Sequence, residues 1–267
     1  AASGWYTIII LLMKKLIVAN WKENPKTEAR ALALAKATLA VKRTVDLVIC
    51  PPFVYLEAVE KCMKRARSTA ALGAQDVFWE EKGAYTSEIG PKMLKRLGVR
   101  YVIVGHSERR HFLRETDAMI NKKVKAALAD GIRVILCVGE PLAVRKRGVS
   151  AAERFVRNQL SKDLRNLTSR LSYLTSHLIV AYEPLWAIGT GRNDTPEDAA
   201  KMARYIKGFL HAKFDIRNSI FLYGGSVNGD NIGKFIQYKE IGGALVGGAS
   251  LHAKGFNTIL RTTSQQS

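Results

Sequence analysis

Glu183 closes an apolar run, Leu178-Ile179-Val180-Ala181-Tyr182, and is followed at once by Pro184-Leu185-Trp186-Ala187-Ile188-Gly189-Thr190-Gly191. A carboxylate at the carboxyl end of a buried strand is placed to exchange protons with a small molecule at the mouth of a parallel sheet. Pro184 stiffens the way into the following segment, and Gly189 and Gly191 loosen the way out. Pro184 to Gly191 therefore reads as a lid, a stiff tip between mobile ends that swings as a unit. Two other apolar runs also end in reactive side chains. Asn20-Trp21-Lys22 supplies a carboxamide and an ammonium, and Gly105-His106-Ser107-Glu108-Arg109-Arg110 supplies an imidazole at what reads as a short helix start. Paired glycines end two more runs, in Tyr223-Gly224-Gly225-Ser226 and Leu245-Val246-Gly247-Gly248-Ala249-Ser250. Backbone N–H groups can approach an anion closely there, and a following helix start adds its positive dipole end. Alone, each feature has a plainer reading: a solvated Glu or Lys, a hydrogen-bonded loop histidine, a tight strand-to-helix turn. Together they describe acid–base chemistry on a small anionic substrate.

Positioning these groups requires a scaffold of short buried strands. Eight candidates stand out: Leu16 to Ala19, Leu47 to Cys50, Ala71 to Ala74, Tyr101 to Val104, Val134 to Val138, Leu178 to Tyr182, Ile220 to Tyr223 and Ala244 to Val246. Helical periodicity fills the spaces between them, at Thr27 to Val41, Thr116 to Asp130, Ala151 to Leu171 and Pro196 to Phe214. Thr195 reads as an N-cap ahead of Pro196 at the first helical position. Strands that are apolar throughout and alternate with helices form a parallel sheet covered on its faces. Eight such units in this length predict an α/β fold of the closed (β/α)8 barrel type, with one catalytic domain over residues 13–267. Residues 1–12 read as a leader or remnant ahead of Met13: their apolar run is too short to span a bilayer, and the Lys pair follows it, whereas a signal peptide has its basic residues first.

The chain has 267 residues, 42 Lys and Arg against 23 Asp and Glu, and a formal net charge of +19. The basic clusters Lys61/Lys64/Arg65/Arg67, Lys122/Lys123/Lys125 and Arg145/Lys146/Arg147 fall in separate regions without interleaved aromatics, so they read as solvated faces and not as a nucleic-acid surface. The excess charge would still draw a small anion toward the protein. Cys50, Cys62 and Cys137 make an odd count without a CxxC pair, which suggests neither a disulfide framework nor a zinc knuckle and favours a reducing cytoplasm. His106, His111, His177, His211 and His252 lack ligand spacing, so no metal site is expected.

The five stretches around Asn20, His106, Glu183, Gly224 and Gly247, in this order and spacing, closely resemble the triosephosphate isomerase family, and the resemblance covers Lys15 to about Leu260. It implies a TIM barrel that interconverts dihydroxyacetone phosphate and glyceraldehyde 3-phosphate, in glycolysis and gluconeogenesis, without a cofactor. By the resemblance Glu183 is the base of a one-base proton transfer through an enediolate, a mechanism that is a standard example of acid–base tuning. His106 is the neutral electrophile, Lys22 and Asn20 stabilise the substrate oxygens, and Glu108 is a secondary participant. Gly189, Ser226, Gly247 and Gly248 wrap the phosphate, while Ile188 and Leu245 press on Glu183 to desolvate it.

The same resemblance implies a cytoplasmic homodimer. The arm Gln75 to Glu88 would insert into a second subunit, with Thr86 near that subunit's Asn20 and His106 and Glu88 against its Arg109; Gln75, Tyr85, Thr86, Glu88 and Arg109 are thus expected at the interface. Some positions depart from the family pattern. Arg192-Asn193-Asp194 stands where a Lys followed by small residues is common, Lys207 and Gly242 stand where a buried Arg-Asp pair is common, and Asp76 replaces a common Asn. Competing readings are another phosphate-binding barrel, such as an aldolase, epimerase or indole-glycerol-phosphate-type lyase, and a basic binding protein on a barrel scaffold. The Asn20/Lys22 pair, the His106 motif and the lid argue against the first; the intact set with Glu183 argues against the second.

Overall fold

The computed structural model describes residues 14–167, 177–187 and 194–266. Residues 1–12, the tail of the predicted helix beyond Leu167, and Ile188, Gly189, Thr190, Gly191, Arg192 and Asn193 lie outside the described residues.

Strands and helices alternate along the chain in the order β1 (Leu16–Asn20), α1 (Glu28–Leu39), β2 (Asp46–Cys50), α2 (Leu56–Arg65), β3 (Ala71–Ala74), α3 (Pro91–Arg96) and β4 (Val99–Val104). Next come α4 (Ser107–Phe112), α5 (Asp117–Ala129), β5 (Arg133–Val138), α6 (Leu142–Arg145), α7 (Val149–Asp163) and β6 (Leu178–Tyr182). The chain ends with α8 (Pro196–Phe214), β7 (Ile220–Tyr223), α9 (Ile232–Ile236), β8 (Gly243–Val246) and α10 (Ala253–Gln265). Each strand pairs in parallel with its sequence neighbours, and β1 returns to β8 in register from Leu16 opposite Gly243 to Ala19 opposite Val246, which closes the barrel.

Two apolar layers result from the two-residue period of the strands. Leu16, Val18, Cys50, Ile103, Ile135, Cys137, Ile179, Ala181, Leu222 and Leu245 point inward and fill the barrel. Ile17, Ala19, Val102, Val134, Leu136, Val180 and Tyr182 point outward and meet Ala35, Val59, Val124, Val156, Ile206 and Ile259 from the surrounding helices. The parity holds to the last residue of β1 and one residue past β6. Asn20 follows Leu16 and Val18, and Glu183 follows Ile179 and Ala181, so both side chains emerge on the barrel axis at its carboxyl mouth.

Thr195 caps α8 as expected, its hydroxyl accepting from the Asp198 N–H at 3.1 Å. One helix is shorter than its periodicity suggests: α7 begins at Val149 and stops at Asp163, not in the region of Leu171. Asp163 turns inward, fully buried against Arg110, and Asn166 takes a left-handed φ of 56°. Asn121 then holds the terminating backbone by donating to the Asp163 and Arg165 carbonyls. Two basic residues read as solvated are not. Lys123 is only 3% exposed, ion-paired with Asp76 and Glu115, and Arg145 lies against the Trp186 ring.

Candidate active site

Asn20, Lys22, His106, Glu183, Ser226, Leu245, Gly247 and Gly248 all line one cavity of about 400 Å3 at the carboxyl mouth of the barrel. Gly224, Gly225, Val227, Asn228, Asn231 and Ala249 complete its wall. Residues far apart in sequence thus meet because every strand of a parallel barrel delivers its carboxyl end to the same face.

Glu183 is 2% exposed, and its carboxylate is engaged on both oxygens. Oε1 lies 3.0 Å from His106 Nε2, and Oε2 accepts from the Ser107 N–H at 3.0 Å. The Cys137 thiol also faces this carboxylate; burial first, and the Glu183 charge second, push the thiol well above its ordinary range. Space for the Glu183 side chain comes from Gly224, where a Cβ would stand 3.0 Å from both Glu183 Cγ and the Tyr182 carbonyl oxygen.

His106 caps α4, with Nδ1 accepting from the Glu108 N–H at 3.3 Å. An imidazole that accepts at Nδ1 carries its proton on Nε2, the nitrogen facing Glu183. The turn that presents it depends on Gly105, whose φ of 71° lies in the left-handed region that L side chains disfavour. Lys22 sits at a similarly uncommon φ of 53°, and its Nζ reaches Glu108 Oε1 at 2.5 Å. Non-glycine residues in that region concentrate at functional sites. The Lys22 N–H donates to Asn20 Oδ1 at 3.1 Å, so the two residues expected to bind substrate oxygens hold each other. Glu108 does not line the cavity; it reaches the site through Lys22.

Ser226 donates to the Ala187 carbonyl at 2.8 Å, joining the loop after β7 to the turn formed by Leu185–Ala187. Ser250 donates to the Gly247 carbonyl at 2.7 Å and braces the loop after β8. Pro184, Leu185, Trp186 and Ala187 are the described part of the segment read as a lid. Trp186 Nε1 and the Tyr182 hydroxyl both donate to Glu140, at 2.9 and 3.0 Å; burial nevertheless pushes the Glu140 carboxyl upward. Leu245 is buried inside the barrel at the cavity floor.

The residues expected at a subunit interface divide into two groups. Gln75 donates to the Lys22 and Cys50 carbonyls of its own chain at 2.8 and 2.9 Å, and so fixes the backbone under the site. Arg109 pairs with Asp76 at 2.7 Å and Glu115 at 2.6 Å. Tyr85, Thr86 and Glu88 are exposed, the Tyr85 ring lying against Phe78. Asp76 is buried, and burial pushes its carboxyl upward against the pull of Lys123 and Arg109.

Ser107, Cys137 and Glu140 are parts of the site for which the sequence reading assigned no role, and Gly224, read as part of an anion cradle, also makes room for the Glu183 side chain. Ser107 lies inside the His106 motif, so its adjacency was a usable signal. The Cys137 and Glu140 contacts arise between neighbouring strands and left no local pattern. Among the described residues, no group of three or more His, Cys, Asp or Glu side chains is arranged to hold a metal ion, and no helix is long and apolar enough to cross a membrane.

A closed parallel barrel with a carboxylate, an imidazole, an ammonium and two glycine-bearing loops around one carboxyl-mouth cavity defines the class of barrel enzymes that work on small anionic substrates. The profile of the Triosephosphate isomerase family matches residues 15–263. The chain is 44% identical over 255 residues to the triosephosphate isomerase of Herpetosiphon aurantiacus, covering 94% of this chain and 99% of that one. It is 42% identical over 254 residues to that of Caldanaerobacter subterraneus subsp. tengcongensis (93% and 99% covered) and 42% identical over 257 residues to that of Dictyoglomus thermophilum (94% and 100%). The chain belongs to the triosephosphate isomerase family. It is an intramolecular isomerase that interconverts triose phosphates, a step of glycolysis.

Proposed function

We propose that Glu183 is the base of this isomerisation and that His106, Lys22 and Asn20 stabilise the charge it creates. Glu183 takes a proton from the hydroxyl-bearing carbon beside the substrate carbonyl and the electron pair moves onto the carbonyl oxygen; the hydroxyl proton then passes to that oxygen, the carbonyl re-forms on the first carbon, and Glu183 returns its proton to the former carbonyl carbon. The Nε2–H of His106 donates to the developing oxyanion, while Lys22 adds positive charge and Asn20 a carboxamide donor. Before it can act, Glu183 must exchange its bond with the Ser107 N–H for the substrate, because that bond occupies Oε2. Gly247, Gly248, Ser226 and Gly189 receive the phosphate, and Ile188 and Leu245 exclude water from Glu183. The observation that carries this reading is the 3.0 Å approach of His106 Nε2 to Glu183 in a cavity also lined by Lys22, Asn20 and both glycine-bearing loops.

The test is Glu183→Gln, which keeps shape and removes the proton acceptor. Turnover falls by about two to four decades, while inhibition by inorganic phosphate changes little. Retention of more than about a tenth of the parent turnover would reassign the base.

The working form is a cytoplasmic homodimer. Its support is the exposed arm 80–88 with Tyr85 at 45%, together with Phe112 at 71% and Leu113 at 60%, apolar groups exposed beside Arg109. Clustered apolar exposure of this kind marks an association surface.

A further inference from the structure

Asp194 ends the stretch Arg192-Asn193-Asp194, which the sequence reading set apart from the resembled pattern, and it occupies an unusual place. It lies just ahead of α8, at the far end of the connection from β6, and is 3% exposed. Its Oδ1 accepts from the Thr195 N–H at 3.0 Å, and its Oδ2 has no hydrogen-bond partner among the described residues. Among the described residues its cationic partner is Arg145 at the end of α6, whose guanidinium stands 3.8 Å from Oδ1 and bonds Asp198 of α8 at 2.6 Å. That same guanidinium lies 5.2 Å from the centre of the Trp186 ring, at the near end of the connection. A single side chain on a neighbouring element therefore touches both ends of the segment that carries Glu183.

We propose that Asp194 is a positioning residue: with Asp198 it holds the Arg145 guanidinium over Trp186, fastening the far end of the β6–α8 connection to its near end. The proposal rests on Glu183 being the base, because the near end of that connection is Glu183 itself. The anchoring requires the carboxylate to be charged. The groups facing Asp194 are Arg145 from α6, Glu140 from the loop after β5, Tyr182 from β6, Tyr223 from β7 and Asp198 from α8. Burial pushes the Asp194 carboxyl up to about 7, Arg145 pulling against this while Asp198 and Glu140 reinforce it.

Stability and function then respond in opposite directions to the same proton. A carboxyl whose folded value is raised contributes stability below its unfolded value of 3.8, and that contribution is lost as pH rises through about 7. The fastening gains strength over the same interval. Removing the charge is expected to strengthen the fold at alkaline pH and to weaken catalysis there.

The experiment compares the parent with Asp194→Asn, Asp194→Ala and Arg145→Met, measuring kcat, KM and melting temperature from pH 5.5 to 9. At pH 8 Asp194→Asn is expected to lower kcat/KM several-fold while melting a few degrees higher. The ratio of parent to variant kcat/KM falls toward one as pH drops through 7; the titration of the substrate phosphate is common to both and cancels. Asp194→Ala follows Asp194→Asn, and Arg145→Met combined with Asp194→Asn adds little to either alone. A ratio that stays within twofold of one at every pH would overturn the proposal, as would a lower melting temperature for both Asp194 variants at pH 8. The Glu183→Gln variant separates the two readings. If it keeps full turnover, the site assignment and this proposal both fall; if it is inactive while Asp194→Asn is unaltered, this proposal alone falls.

Discussion

Lys22 and Glu108 show how one residue can act only through another. The 2.5 Å contact between them places the ammonium at the cavity wall, although both side chains are partly open to water, so screening limits what the pair adds to stability. Its effect belongs to geometry. Replacing Glu108 with Gln is expected to lower kcat/KM by about tenfold, and the same replacement in a Lys22→Met background by much less, a coupling that a double-mutant cycle reads directly. Equal losses in both backgrounds would give Glu108 a role independent of Lys22. The residue scale also shows what sequence reading could and could not reach. Glu183, His106, Asn20 and Lys22 each follow a strand that announces itself by composition, whereas Glu140 matters only because Trp186 and Tyr182, more than forty positions away, donate to it.

At the scale of elements, α4 carries His106 at its start and has six residues, too few to hold a helix by its own hydrogen bonds. Arg110 supplies the missing anchorage. Its guanidinium donates to the Gly105 carbonyl, to Asp117 at the start of α5, to Asp163 at the end of α7 and to the Cys137 carbonyl on β5. Arg110→Ala would leave Asp163 buried and without its cation, at a cost of about 3–5 kcal/mol in urea unfolding, and activity should fall with it as His106 loses its platform. All eight strands were legible because apolar runs bounded by polar turns specify buried parallel strands, and their ends moved by two positions at most: β4, for example, starts at Val99 where Tyr101 was expected. The end of α7 was not legible. Leu164 and Leu167 continue the helical pattern, and only the distant partner Arg110, with Asn121, explains why the helix stops at Asp163.

For the whole molecule, charge and assembly lead to two expectations. An excess of +19 around a cavity for a phosphorylated substrate should accelerate encounter, so kcat/KM declines with ionic strength while kcat at saturation stays nearly level. A weakly binding anion must be used in that titration to avoid competition with the phosphate. A level kcat/KM under diffusion-limited turnover would leave the charge as ordinary surface solvation. For the dimer, Tyr85→Ser combined with Thr86→Asp places a charge on the exposed arm and is expected to shift the mass seen by light scattering toward monomer, with turnover falling in parallel. A dilute monomer with full activity would remove the arm from any part in the site.

The closed ring of strands also determines how the chain's thiols meet reagents. Cys50 and Cys137 point into the barrel and are fully buried, with burial pushing both thiols upward, while Cys62 on α2, also buried but 7% exposed, lies at the wall of a surface groove outside the ring. A sheet with free edges can shed an outer strand and expose its interior piecemeal. A ring has no outer strand, so alkylation of the two inner thiols must wait for the staves to part together. In a timed labelling experiment Cys62 should react first, and Cys50 and Cys137 later with one common rate constant. That rate constant would time the opening of the whole barrel without any added probe.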